Sequence, residues 1–344
     1  MNSIPKSLIL FSWLTMCIPH TLWAQASPDS SMSEQATAYL AKALDAMQQQ
    51  SLKRHEIDWA EFRAHVLQKA QGAQTTADTY EAIRFAIGKL NDGHSFLVTP
   101  GGDGSGWVPA STPEDLTSRL LEGRFGYLLL PSFAGRDSFN PESAAAFAAR
   151  VQEAVARQDS AGACGWVIDL RFNSGGNMWP MLAGVGEVLG AGEVGGFLGS
   201  GGSHVPWIYA WGSAGTPGNR AVTVDPTARL GQSQPPAAVL TSGKTSSAGE
   251  ALVTAFRGRP SARAFGTATQ GASTANQAIW LGDGAMLFLT VAIYADRVGQ
   301  VYGGPLEPDV EIVGGADSPG QPLDSDPVVA SALRWLSEQA ACSE

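Results

Sequence analysis

Apolar positions three and four residues apart dominate the first part of the chain. Between Glu34 and Gln50, Tyr39, Leu40, Leu44 and Met47 fall on one helical face. A second helix is expected over Trp59 to Gln71. A third is expected over Thr75 to Leu90, where Tyr80, Ile83, Ile87 and Leu90 keep the spacing and Thr75 or Thr76 can cap the start. Asn91-Asp92-Gly93 ends it with a turn, and a short strand follows through Thr99. The pattern then changes to short, solid apolar runs, at Arg124 to Pro131, Gly165 to Arg171, Ala237 to Leu240, Ala262 to Thr267 and Ala285 to Tyr294. Such runs suit strands covered on both faces. Helix-forming stretches lie between and after them, at Pro141 to Gln158, Met178 to Leu189, Ala251 to Arg257 and Pro327 to Glu338, and Val310 opens a last short strand. The alternation predicts α/β layers with a mostly parallel sheet. Two Gly-, Ser- and Pro-rich stretches interrupt it. Pro100 to Glu122 reads as a surface crossing, and 190–236 as a long excursion covering a cleft.

The first 26 residues read as a processing segment. Lys6 precedes the apolar run Ser7 to Ile18, and Ala24-Gln25-Ala26 supplies a cleavage site. The expected organisation is a signal peptide over 1–26, a helical region over 27–90 and the main α/β domain over 91–344. The expected location is secreted or periplasmic. Cys17 admits a second reading as a lipidation site, although Met16 stands where such processing favours a small residue. No later run is long enough to span a bilayer, so no stable membrane insertion is expected after cleavage. The net charge of −10, with no Lys/Arg cluster, argues against a nucleic-acid partner. After cleavage two cysteines remain, Cys164 and Cys342. They can pair in an oxidising compartment or stay as separate thiols. No His/Cys/Asp cluster has ligand spacing, so no metal or other cofactor is expected.

The stretch that invites chemistry is Val239-Leu-Thr-Ser-Gly-Lys-Thr-Ser-Ser-Ala-Gly-Glu250, where an apolar strand runs through small hydroxyl residues into a helix. A serine there meets the unpaired N–H groups and positive end of the helix, which can stabilise developing negative charge. Ser246 and Ser247 are both candidate nucleophiles, and both are also ordinary capping residues. A second strand, Gly165 to Arg171, runs into Asn173-Ser-Gly-Gly-Asn177 and another helix, exposing backbone N–H groups at a glycine turn. His94 sits on the bend after the third helix.

Four stretches in order resemble the C-terminal processing, or tail-specific, serine peptidases, whose superfamily includes the tricorn core protease and interphotoreceptor retinoid-binding protein. They are Asp92-Gly-His-Ser95; Val167 to Asn177; Thr245-Ser-Ser-Ala-Gly-Glu250 with Gly266-Thr-Ala-Thr-Gln-Gly271; and Glu307-Pro-Asp-Val310. The resemblance covers roughly residues 75 to 312. It implies a crotonase-like α/β core and makes Ser247 the nucleophile. It places the oxyanion hole at the backbone N–H of Ala248 and of Gly175 or Gly176. In the Ser/Lys branch a lysine follows the Thr-x-Gly turn, but here Ala272 follows Gly271, and Lys244 has no family role.

The tricorn-like branch instead uses a histidine from the Asp-Gly-His region, which makes His94 the general base. Ser95 and a carboxylate would orient it, with Glu307 as the candidate and Asp92 as the alternative. Asp169, Arg171 and Asp309 are expected to be structural. The implied activity is peptide-bond hydrolysis through an acyl-enzyme, on a peptide or unfolded protein. The short 100–122 crossing leaves no room for a PDZ domain. A binding protein on the same fold and an esterase are the two rivals.

Overall fold

In the computed structural model, the described residues are Met1, 31–101, 116–225, 229–316 and 318–343. The expected signal peptide and Cys17 fall outside them. None of the helices among these residues is long and apolar enough to cross a membrane.

Three helices come first, α1 (Glu34–Gln50), α2 (Trp59–Lys69) and α3 (Tyr80–Leu90). The first two have side-chain caps: Ser33 accepts from the Ala36 N–H, and Asp58 from those of Ala60 and Glu61. Asn91, at φ 50°, ends the third with a left-handed residue. Strands β1 (Phe96–Val98), β2 (Thr117–Leu121) and β3 (Phe125–Leu129) follow, then α4 (Pro141–Ser160), β4 (Gly165–Asp169), α5 (Met178–Gly184) and α6 (Gly186–Leu189). Next are β5 (Gly192–Gly199), β6 (His204–Ala210), β7 (Ser213–Thr216), β8 (Asn219–Thr223) and β9 (Ala237–Thr241). The chain continues with α7 (Ala248–Phe256), β10 (Ala262–Gly266), β11 (Thr274–Trp280), β12 (Met286–Ala295), β13 (Val310–Glu311) and α8 (Pro327–Ser337).

The expected parallel sheet is present, with strand order β13-β10-β9-β4-β3-β2, and only the β2/β3 pair is antiparallel. Strands β3, β4 and β9 are buried along their whole length. One face packs on α4, α5 and α7 through residues such as Leu128, Phe147, Ile168, Leu182 and Leu252. The other packs on α8 through Val167, Leu240, Phe265, Val329 and Leu336. A disulfide between Cys164 and Cys342 ties the segment after α8 to the start of β4.

A second sheet was not anticipated. Seven strands pair antiparallel in the path β1-β12-β5-β6-β7-β8, with β11 on the other side of β12. The stretch 190–236, expected to be an excursion, supplies four of them. Several of its glycines, Gly192, Gly195, Gly196, Gly199 and Gly215, are strand residues and not turn signals. A Cβ on Gly196 would lie 2.2 Å from the His204 ring, and one on Gly195 2.6 Å from the Trp207 ring, so glycine is what lets β5 and β6 approach. The crossing read over 100–122 likewise contains β2, whose alternating Thr-Ser-Arg pattern is a weak strand signal. The N-terminal helices pack on this sheet through Leu40, Leu44, Met47 and Ile83 against Leu97, Leu287 and Leu289. Asp283, in the β11–β12 turn, fastens them by accepting from the hydroxyls of Tyr39 at 2.7 Å and Tyr80 at 2.6 Å.

Candidate active site

Adjacent parallel strands β4 and β9 bring their C-terminal loops side by side, where parallel α/β sheets bind ligands. The loops interlock. The Ser246 N–H donates to the Asn173 carbonyl at 3.0 Å, and the Thr245 hydroxyl to the Leu170 carbonyl at 2.8 Å. A Cβ on Gly175 would meet the Ser247 Cβ at 2.9 Å, and one on Gly249 the Asn173 carbonyl oxygen at 2.5 Å. Glycine at both positions lets the serine loop seat against the glycine turn.

Ser247 precedes α7 with φ 50° and ψ −113°, an unfavourable conformation for a residue with a side chain. Glu250, fully buried one turn on, holds it there. Its carboxylate accepts from the Ser247 N–H at 2.8 Å, the Thr269 hydroxyl at 2.5 Å and the Gly271 N–H at 2.9 Å. Burial raises the Glu250 pKa, and these hydrogen bonds oppose the rise. Glu250 thus ties the serine loop to the Thr-x-Gly turn, where Ser/Lys relatives carry their lysine. The sequence reading quoted Glu250 within the motif but gave it no role.

The two glycines differ. The Gly175 N–H is engaged by the Asn173 side-chain oxygen at 3.0 Å. The N–H groups of Gly176 and Ala248 donate to nothing among the described residues, and both residues line the cleft that holds Ser247.

That cleft has a volume of about 530 Å³. His94 stands across it from the serine, on the turn after α3. Its Nδ1 lies 2.7 Å from the Thr274 hydroxyl of β11, and its carbonyl accepts from the Asn276 side chain at 2.8 Å. Burial lowers the His94 pKa to about 4, against the pull of nearby Asp92, so the ring is neutral at neutral pH. No hydrogen bond joins His94 to Ser247. The Ser247 hydroxyl instead contacts the hydroxyl of buried Tyr294, whose own pKa is raised by burial and by the neighbouring charge of Glu250.

The remaining candidates lie elsewhere. Ser95 donates to Asp92 at 2.6 Å, accepts from the Thr290 N–H at 2.9 Å and lies 3.2 Å from the Thr290 hydroxyl. It shapes the turn, while the side chain against the imidazole is Thr274. Asp92 gives its carboxylate to the N–H groups of His94 and Ser95. Glu307 is exposed and does not line the cleft, and its backbone carbonyl accepts from Arg257. The structure therefore brings together Ser247, His94, Gly176 and Ala248, and leaves Ser95 and Glu307 outside the constellation. Asp169 and Arg171 form a buried network with Tyr127 and Asp326. Thr274 was missed because it opens a strand the apolar pattern did not reveal.

A strained serine at a helix start, beside free backbone N–H groups and facing a neutral imidazole, has the architecture of a serine hydrolase site. The chain belongs to peptidase family S41, whose profile matches residues 124–312. The matched segment includes the glycine turn and the serine loop but begins after His94. Over 312 residues the chain is 24% identical to a nisin-resistance protein of Lactococcus lactis subsp. lactis, covering 88% of this chain and 87% of that one. Its fold is similar to that of a lipoprotein from Streptococcus agalactiae, with TM-score 0.70, 22% identity and coverage of 89% and 97%. It also resembles the photosystem II D1 C-terminal processing protease, with TM-score 0.57, 17% identity and coverage of 81% and 94%.

Proposed function

We propose that the protein is an extracytoplasmic serine peptidase with Ser247 as nucleophile and His94 as general base. The carrying observation is that Ser247, the unengaged N–H groups of Gly176 and Ala248, and a neutral histidine face one cleft. On substrate binding the Ser247 hydroxyl turns from Tyr294 towards the Nε2 of His94. Catalytic hydrogen bonds of this kind often form only once substrate is bound. Thr274 accepts from the Nδ1–H and so keeps Nε2 unprotonated. The serine attacks the carbonyl carbon, and its proton passes through His94 to the leaving amine. The oxyanion is met by the N–H groups of Gly176 and Ala248, and water then deacylates the acyl-enzyme by the reverse proton path.

The substrate proposed is a peptide. Among the described residues lining the cleft, no side chain is ionised at neutral pH, and Phe96, Phe139, Trp179, Phe197 and Phe288 contribute aromatic rings. The relative named for nisin resistance suggests a short peptide met outside the cytoplasm, as does the signal segment read from the sequence. The Cys164–Cys342 disulfide agrees with an oxidising location.

Fluorophosphonate labelling with intact-mass readout tests the reading. Wild type and Ser246→Ala should take one label, while Ser247→Ala and His94→Ala should not. A folded wild type that takes no label removes the peptidase reading and leaves a binding protein. Paired peptide and ester substrates separate a peptidase from an esterase.

A further inference from the structure

The aromatic lining continues past the mouth of the cleft. Phe96 of β1 and Phe288 of β12 stack with centroids 4.5 Å apart, Phe288 meets Phe139 at 6.2 Å, and Phe139 meets Trp280 at 6.5 Å. The first three line the cleft, whereas Trp280 lies beyond it at the end of β11. Phe139 and Trp280 keep 45% and 54% of their surface exposed. Single exposed apolar residues need no explanation, but a connected row leading out of a cleft marks a binding surface. Its members come from both halves of the fold: Phe139 precedes α4 on the parallel sheet, and the others belong to the antiparallel sheet.

The spacing indicates what the row holds. In an extended peptide, alternate side chains lie on one face and repeat every ~6.5–7 Å. The steps of 6.2 and 6.5 Å along the row match that repeat. A chain presenting a carbonyl to Ser247 continues along these rings as it leaves the cleft. We infer that Phe139, at the edge of the cleft, and Trp280, beyond it, form a subsite that takes two alternate apolar side chains of an extended peptide, remote from the bond cut. This rests on the peptidase reading of Ser247. An acidic side chain at either position would lose solvation against the negative face of a ring, so such peptides are disfavoured.

The test uses fluorogenic peptides of about a dozen residues, long enough to reach past the cleft. A Phe-x-Phe pair is moved one position at a time through an otherwise Ser/Gly sequence on either side of the scissile bond. Wild-type kcat/KM should peak at one register by about tenfold, mainly through KM, as expected for about 1.4 kcal/mol of ring contact. The peak should vanish in Trp280→Ala and in Phe139→Ala and persist in Trp280→Phe. Trp280 is half exposed, so its replacement leaves the core intact, and circular dichroism checks this. A flat wild-type scan, or an unchanged peak in Trp280→Ala, overturns the subsite. Anisotropy of the same labelled peptides on Ser247→Ala protein needs no chemistry. A register preference lost with Trp280 in that assay supports the subsite even if the peptidase reading fails, and its absence rejects the subsite alone.

Discussion

The two walls of the cleft hold their reactive groups by different means. The serine wall belongs to the parallel sheet and is fixed by backbone geometry: interlocked loops, glycines where a Cβ would collide, and one buried carboxylate that satisfies three donors. The histidine wall belongs to the antiparallel sheet and is fixed by side chains reaching between strands, Thr274 and Asn276 to His94, with the N-terminal helices fastened behind through Asp283. The proposed nucleophile is thus built into the core, while the proposed base sits on a turn braced by the β11–β12 hairpin. The two meet without a hydrogen bond at rest. One wall therefore couples activity to stability, and the other can lose activity while staying folded.

Four experiments press on that difference. The largest effect is expected from Glu250→Ala, which strands three donors and releases a strained serine. Denaturant unfolding should show a loss of roughly 3–5 kcal/mol, with labelling at Ser247 lost as well. Thr274→Val should cost little stability but lower kcat/KM by roughly tenfold to a hundredfold, with Thr274→Ser restoring most of it. A stability loss as large as that of Glu250→Ala would show that both walls are built alike. Asp283→Ala leaves two tyrosine hydroxyls without their acceptor and should cost about 1–2 kcal/mol, read as a lower melting temperature with kcat nearly unchanged.

The smallest effect is expected from pH. Because burial holds His94 down to about 4, kcat/KM should stay nearly flat from neutral pH to about pH 5 and halve near pH 4. The unfolded chain protonates this histidine below about 6.5. Its contribution to stability is therefore present above that value and falls away as pH drops towards 4. An acid limb near 6.5 would mean an exposed, ordinary histidine.

The serine wall was legible in the sequence because its pieces are local: solid apolar strands, small-residue loops and helix starts that follow one another along the chain. The histidine wall was legible only in part: His94, the strand after it and Ala285 to Tyr294 were read, whereas β5 to β8 and β11 were not. Strand β5 is glycine-rich where the rings of Trp207 and His204 pack over it, so residues that build the sheet mimic loop composition. Thr274 contacts His94 across 180 positions, and no local pattern announces such a pair. Glu307, the candidate carboxylate from the fourth stretch, lies exposed and away from the cleft, with its backbone carbonyl accepting from Arg257. Which side chain lies against the imidazole follows from strand register, which a single sequence does not display.

The Cys164–Cys342 bond closes a covalent ring that takes in the glycine turn, the serine loop, Glu250, Thr274 and Tyr294, and leaves His94 outside. Peptidases live among peptidases, their own kind included. A nick within the ring, for instance in the β5–β8 hairpins, would release no fragment, so the cut chain would run as one species until reduced. A nick between His94 and Cys164 would leave no covalent link between the base and the ring that carries the serine. A cut within the ring should therefore leave His94 and Ser247 in one covalent species, and a cut between His94 and Cys164 should not.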